Sequence, residues 1–167
     1  AITLKGPSSI LDLYEGKFPI SLDENRIDQN ISKNIEKKSS EIPSIFAVKK
    51  VEGVKITSGF GMRIHPISKK EMMHNAVDIK APKGTPVYAT ADGLVRTVKQ
   101  NYTEGKGYGR YVIIDHANAY STLYSQLSAY NVKEGQDVKQ GDIIGYVGSS
   151  GISTGPHLHY EIKKDGE

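Results

Sequence analysis

"TPVYATADGLVRTVKQ" (residues 85–100), followed by "GRYVIIDHANAYSTLYSQL" (residues 109–127), decides the fold class. Both are short runs of β-branched and aromatic residues broken by glycine turns, and neither carries an apolar stripe at helical spacing over ten or more residues. The same grammar extends in both directions, upstream in "VKITSGF" (54–60) and "AVDIKAP" (76–82), downstream in "DIIGYVG" (142–148) and "HLHYEI" (157–162). Such even spacing of short runs predicts an all-β domain over residues 43–167, a compact antiparallel β-sandwich or barrel-like fold with many tight turns. No solenoid-period repeat and no low-complexity tract interrupts it.

Residues 1–42 read differently and are assigned to an N-terminal extension or linker. "DENRIDQNISKNIEKKSSE" (23–41) is polar and charged, with Ile27, Ile31 and Ile35 at steps of four. That thin apolar stripe predicts a short surface helix or a linker. Ahead of it, "ITLKGPSSILDLYEGKFPI" (2–20) holds two apolar patches split by Gly-Pro and Pro, read as irregular strands or a tether. The extension is therefore a tether to a membrane or partner protein, a cover over a site, or a spacer. Because the chain begins at Ala1 and stops directly after a strand, it is expected to be a piece of a longer protein.

Composition narrows the function classes. The 167 residues are 37% apolar and 8% aromatic, enough for one real core. With 22 basic and 19 acidic residues the net charge is only +3, too small an excess to call for nucleic acid, and no nucleic-acid partner is expected. No run approaches the ~18 apolar residues of a membrane span. Cysteine is absent, so a metal would have to be held by histidine and carboxylate.

Five histidines remain to be placed. In "GPHLHYEI" (155–162), His157 and His159 fall on one face of a strand and Leu158 and Tyr160 on the other. In "MMHNAVDIKAP" (72–82), His74 and Asp78 are an even step apart, so an extended segment would point both to one face, with Val77 and Ile79 opposite. Converging, these four side chains would make a nitrogen and oxygen zinc site, either member of the His157/His159 pair serving as ligand. His116 reads as a turn or strand-end residue and His65 as a loop histidine near the groove. "GKGYGRY" (105–111) lacks the lysine, hydroxyl and helix of a phosphate loop and reads as a glycine-rich hairpin loop.

These residues, with "ITSGFGMRIHP" (56–66), "HNAVDIKAPKGTPVYATADG" (74–93), "GYGRYVIIDH" (107–116), "YSTLYSQL" (120–127) and "VKQGDIIGYVGSSGISTGPHLHYEI" (138–162), resemble the lysostaphin-type zinc endopeptidases, bacterial enzymes that cut peptide bonds in peptidoglycan. The resemblance implies one Zn2+ per domain held by His74, Asp78 and His159, with His157 as general base toward the attacking water. It also implies a peptidoglycan peptide, cross-bridge or stem, as substrate and an extracytoplasmic location in the bacterial envelope, periplasm or cell surface.

The chain departs from the family pattern at three places. Where members carry a histidine in a "YAHL"-like motif, this chain has "LYSQL", putting Gln126 in the auxiliary catalytic position. Glutamine donates a hydrogen bond but moves no proton. Ala76 stands where glycine is usual between the first two ligands, and Ala47 where proline is usual, the latter read as neutral. The loss at Gln126 leaves a second function in view: a weakened or inactive domain of the same fold that binds wall peptide or a partner protein. Zinc is expected to be lost below about pH 5–6, where ordinary imidazoles protonate.

Overall fold

The computed structural model describes residues 24–65 and 68–167, and side chains from residue 29 onward. The apolar patches at 2–20 lie outside the described residues. The chain divides after residue 36, and residues 37–167 form one compact unit. A helix, α1 (Glu24–Ser40), covers the stretch expected from the isoleucine spacing. Lys37 and Lys38 in its last turn complement the negative end of the helix dipole, and the Ser40 hydroxyl donates to the Lys37 carbonyl at 3.0 Å. Ile31 and Ile35 are exposed, consistent with a surface helix. Among the described residues no helix is long and apolar enough to cross a membrane.

The described residues of the compact unit form twelve strands: β1 (Lys55–Ser58), β2 (Gly61–Ile64), β3 (Glu71–His74), β4 (Val77–Lys80), β5 (Pro86–Tyr88), β6 (Gly93–Lys99), β7 (Tyr111–Asp115), β8 (Tyr120–Ser125), β9 (Leu127–Tyr130), β10 (Asp137–Val138), β11 (Ile143–Val147) and β12 (His157–Lys164). Every pairing is antiparallel. Seven strands form the main sheet in the order β1-β4-β12-β8-β7-β6-β10; β5-β11-β9 form a second sheet, and β2-β3 a separate ribbon.

Alternation explains the core. On β7, Val112 and Ile114 are buried while their neighbours are not, as a strand with one covered face requires. Val95, Tyr124, Ile79 and Leu158 of the main sheet join Val87, Leu127, Ile144 and Val147 of the second sheet in one apolar cluster. The expected sandwich is thus what forms, its filling made of residues from both sheets. One polar network crosses it: the fully buried Tyr124 hydroxyl accepts from the Thr90 N–H at 2.9 Å and from the Thr122 hydroxyl at 3.1 Å. Tyr160, whose ring also packs on the core, reaches the Thr90 hydroxyl at 2.8 Å.

Two joints matter for the site. Gln126 lies between β8 and β9, at the corner where the chain passes from the main sheet to the second, and has φ 66°. That left-handed conformation is costly for a residue with a Cβ and is held by surrounding structure. The loop between β6 and β7, read from "GKGYGRY" as a hairpin loop, does join those paired neighbours. Its Gly109 has φ +65°, and a Cβ there would meet the Gly151 backbone nitrogen at 2.3 Å. Only glycine lets this loop and the one before β12 touch backbone to backbone.

Candidate metal centre and catalytic groove

β12 lies between β4 and β8, and its register sets His157 opposite Lys80, Leu158 opposite Ile79 and His159 opposite Asp78. The period-two reading therefore places correctly what it named: Leu158 is fully buried, and both histidines line a groove of about 840 Å3 on the other face. His74 and Asp78 line it too, but by a different route from the one expected. They do not share an extended segment. The chain leaves strand geometry at Asn75 and Ala76, so His74 ends the β2-β3 ribbon and Asp78 belongs to the main sheet. Pairing of His74 with Gly61 across the ribbon holds it there. The buried Ala76 is not among the residues with positive φ, so alanine in place of glycine carries no backbone strain.

Proton positions follow from the partners. His74 Nδ1 lies 2.9 Å from the Gly59 carbonyl oxygen. A carbonyl only accepts, so Nδ1 carries the hydrogen, and in the neutral ring Nε2 keeps a lone pair. That Nε2 is buried with no hydrogen-bond partner and stands 3.3 Å from Asp78 Oδ2. A lone pair facing a carboxylate oxygen is unfavourable, and a proton on Nε2 or a metal cation beside both atoms relieves it. On the other side, His159 Nδ1 lies 3.0 Å from Asp78 Oδ1, and its Nε2 lies 3.0 Å from Glu161 Oε1. One donor atom from each of His74, Asp78 and His159 falls within 4.8 Å of the others. Two imidazole nitrogens and a carboxylate oxygen around an orphaned buried atom fit a zinc ion.

Electrostatics agree. Burial alone would depress the His159 pKa, but hydrogen bonds to Asp78 and Glu161 and their negative charges outweigh it and raise the value to about 9. Burial would raise Asp78, yet the His159 hydrogen bond and the charges of His74, His159 and His157 bring it below the usual carboxylate range. Glu161, 4% exposed, is likewise lowered despite burial by bonds from His159 and Tyr108. Burial and that same carboxylate push the Tyr108 hydroxyl up to about 12. It stays a neutral donor to Glu161 at 2.8 Å.

His157 is oriented separately. Its Nδ1 is 2.9 Å from the Gly155 carbonyl oxygen and 3.1 Å from Ser153 Oγ, so Nδ1 carries the hydrogen. Nε2 then presents a lone pair toward the centre, 3.9 Å from Asp78 Oδ1. Gln126 lines the groove but is only 4% exposed, and both ends of its amide are engaged by backbone. Oε1 accepts from the Gly151 N–H at 2.6 Å, and Nε2 donates to the Ile152 carbonyl at 3.1 Å.

His65 lines the groove as a loop residue, its Nδ1 accepting from the Ser68 N–H at 3.1 Å. His116 follows β7 and bonds the Asp92 carbonyl at 2.8 Å and the Thr122 hydroxyl at 2.7 Å, away from the groove. Sequence reasoning passed over Glu161, although it lies one more even step along the strand from His159 and shares its face. It also passed over Arg63, whose guanidinium donates to Asp78 Oδ2 at 3.2 Å, and over Ser153 and Tyr108.

The profile described as Peptidase family M23 matches residues 72–167. The chain belongs to peptidase family M23. Among its relatives, DD-carboxypeptidase/endopeptidase Mpg of Neisseria meningitidis serogroup B is 48% identical over 122 residues, 73% of this chain and 27% of that protein. Peptidoglycan DD-endopeptidase ShyA of Vibrio cholerae is 45% identical over 109 residues, 65% of this chain and 24% of that protein. The chain thus spans about a quarter of these relatives' length. A crystal structure of a zinc containing peptidase from Vibrio cholerae shares 39% identity at a TM-score of 0.61, covering 70% of this chain and 35% of that one. The catalytic domain of lysostaphin from Staphylococcus simulans shares 37% identity at 0.57, covering 65% and 78%. The resemblance to lysostaphin-type enzymes read from the motifs is therefore a family relationship.

Proposed function

We propose that residues 43–167 are a zinc-dependent endopeptidase that hydrolyses a peptide bond of bacterial peptidoglycan, in a cross-bridge or stem peptide, outside the cytoplasm. One observation carries the reading: the orphaned Nε2 of His74 meets Asp78 and His159 in the same groove as the free Nε2 of His157. His74, Asp78 and His159 would hold one zinc ion, which when bound polarises the scissile carbonyl and acidifies water. The chain's own residues do the rest. Gly59 holds the His74 ring with Nε2 turned inward, and Glu161 holds His159 through Nε2, so that Nδ1 becomes its ligand atom once its proton is displaced. His157, with Nδ1 committed to Gly155, accepts the proton of the attacking water at Nε2 and returns it to the leaving amine. The names of the Mpg and ShyA relatives and the zinc of the Vibrio cholerae peptidase support the substrate class and the metal.

The test is digestion of purified peptidoglycan by the zinc-loaded chain, with and without chelator, the released fragments read by mass spectrometry. Chelator-sensitive peptide fragments are expected, and their masses identify the bond. Intact peptidoglycan in the presence of stoichiometrically bound zinc would overturn the proposal and leave the second reading, a wall-peptide or partner-binding domain. The engaged amide of Gln126, in place of the family histidine, is the observation that keeps that reading in view.

A further inference from the structure

We infer that Gln126 is a positioning residue whose side-chain amide clamps the groove wall at residues 150–155 and, through that wall, orients His157. The inference rests on the peptidase reading for its catalytic consequence and on geometry alone for the clamp. Three segments distant in sequence meet at this corner. The backbone N–H of Gln126 donates to the Tyr108 carbonyl at 3.0 Å, and the Ile152 N–H donates to the Gly107 carbonyl at 2.9 Å. Ser150 Oγ accepts from the Arg110 N–H at 2.9 Å. Gly109 and Gly151 allow these backbones to touch. Into that junction the amide of Gln126 inserts an acceptor for the buried Gly151 N–H and a donor for the Ile152 carbonyl.

The next residue of the wall acts on His157 directly. The Ser153 hydroxyl donates to the Gly155 carbonyl at 2.6 Å and accepts from the Gly155 N–H at 3.2 Å, closing a small turn. The same oxygen and the same carbonyl receive His157 Nδ1–H. Displacement of residues 151–153 would therefore remove both acceptors that fix the histidine's tautomer and ring orientation. A carboxamide suits the corner because its oxygen and nitrogen leave one carbon side by side, as the adjoining N–H and carbonyl require. The two nitrogens of an imidazole point in widely divergent directions, so histidine at 126 would satisfy one partner and abandon the other.

The experiment compares wild type with Gln126→Leu, Gln126→Glu and Gln126→His on the 167-residue chain. It reads amide hydrogen exchange at Gly151, the neutral tautomer of His157 by 15N chemical shift, and kcat and KM on peptidoglycan. Gln126→Leu leaves the buried Gly151 N–H without its acceptor, and exchange there is expected to accelerate about five- to thirtyfold, with Leu123 and Val112 unchanged. Gln126→Glu keeps an acceptor oxygen and is expected to restore most of the Gly151 protection. His157 should lose its single Nδ1–H tautomer in Gln126→Leu, and kcat should fall at least about tenfold with KM within twofold. Gln126→His should lower kcat as well. Unchanged Gly151 protection in Gln126→Leu would overturn the clamp. A rise in kcat in Gln126→His would overturn the positioning role and return position 126 to direct catalysis. If the wild type cleaves nothing, the peptidase reading fails while the exchange and tautomer measurements still decide the clamp.

Discussion

Zinc binding to this chain should release one proton from His159, and affinity should depend on pH accordingly. In the metal-free protein that imidazole bridges Asp78 and Glu161 with both nitrogens donating, and its pKa of about 9 keeps it charged at neutral pH. Coordination requires the Nδ1 lone pair, so at pH 7 the metal must displace a proton lying two pH units below its pKa. At roughly 1.4 kcal/mol per unit this costs about 2.7 kcal/mol, equivalent to an apparent Kd about a hundredfold weaker than the limiting one. The apparent Kd should tighten about tenfold per pH unit from pH 7 to 9 and flatten above. Competition with a chromophoric chelator calibrated at each pH measures this, and titration calorimetry in buffers of different ionisation enthalpy counts the proton. A Kd that does not change between pH 7 and 9, with no buffer dependence of the heat, would refute the reasoning. The fall in affinity should begin below about pH 9, ahead of the loss of zinc below about pH 5–6 expected from ordinary imidazoles. Stability of the metal-free chain should move oppositely. The raised pKa of His159 contributes stability that is complete below about pH 6.5 and lost as pH rises through about 9.

Three substitutions probe the surroundings. Glu161→Gln removes the charge behind His159 Nε2 and should weaken zinc binding about 10- to 100-fold in the limiting high-pH Kd, where proton competition is gone, read by the same chelator competition; an unchanged limiting Kd would deny the carboxylate its orienting role. Gly109→Ala forces a Cβ against the Gly151 nitrogen at φ +65° and should cost at least about 2 kcal/mol of unfolding free energy in urea, where a loss under about 0.5 kcal/mol would show that the loops separate freely. Tyr124→Phe strips the acceptor from the buried Thr90 N–H and should cost about 1–3 kcal/mol, a melting-temperature drop of about 2–4 °C per kcal/mol by calorimetry. A melting temperature equal to wild type would mean that another acceptor takes over.

The strand-rich character, the facing histidines of β12 and the helix at 24–40 were legible because each rests on local periodicity. Leu158 inward with His157 and His159 outward needs only the pleat of one strand. His74 and Asp78 were legible as partners but not in their path, since the bend at Asn75 and Ala76 depends on how the β2-β3 ribbon leaves the sheet. Glu161 was within reach of the same even-step argument, one step beyond His159. Nothing local distinguishes Gln126 as a left-handed corner between two sheets, or Ser153 as the support of His157. Their partners are 25 and 26 residues away for the glutamine and belong to a turn for the serine. Such contacts come from tertiary packing, which one sequence does not display.

The sheet order has a bearing on when the site can exist during synthesis. β12 is inserted between β4 and β8, so Asp78 and His159, 81 residues apart, become neighbours only when a late strand enters the middle of an earlier framework. A ribosome-bound chain short of that strand would present the edges of β4 and β8 and two of three metal donors, and non-local pairing of this kind is slow to form. Formation of the candidate centre is thereby coupled to the entry of β12. A nascent or partly unfolded copy would hold neither the centre nor the groove, and bound zinc would report finished assembly by adding its binding free energy to the folded state alone.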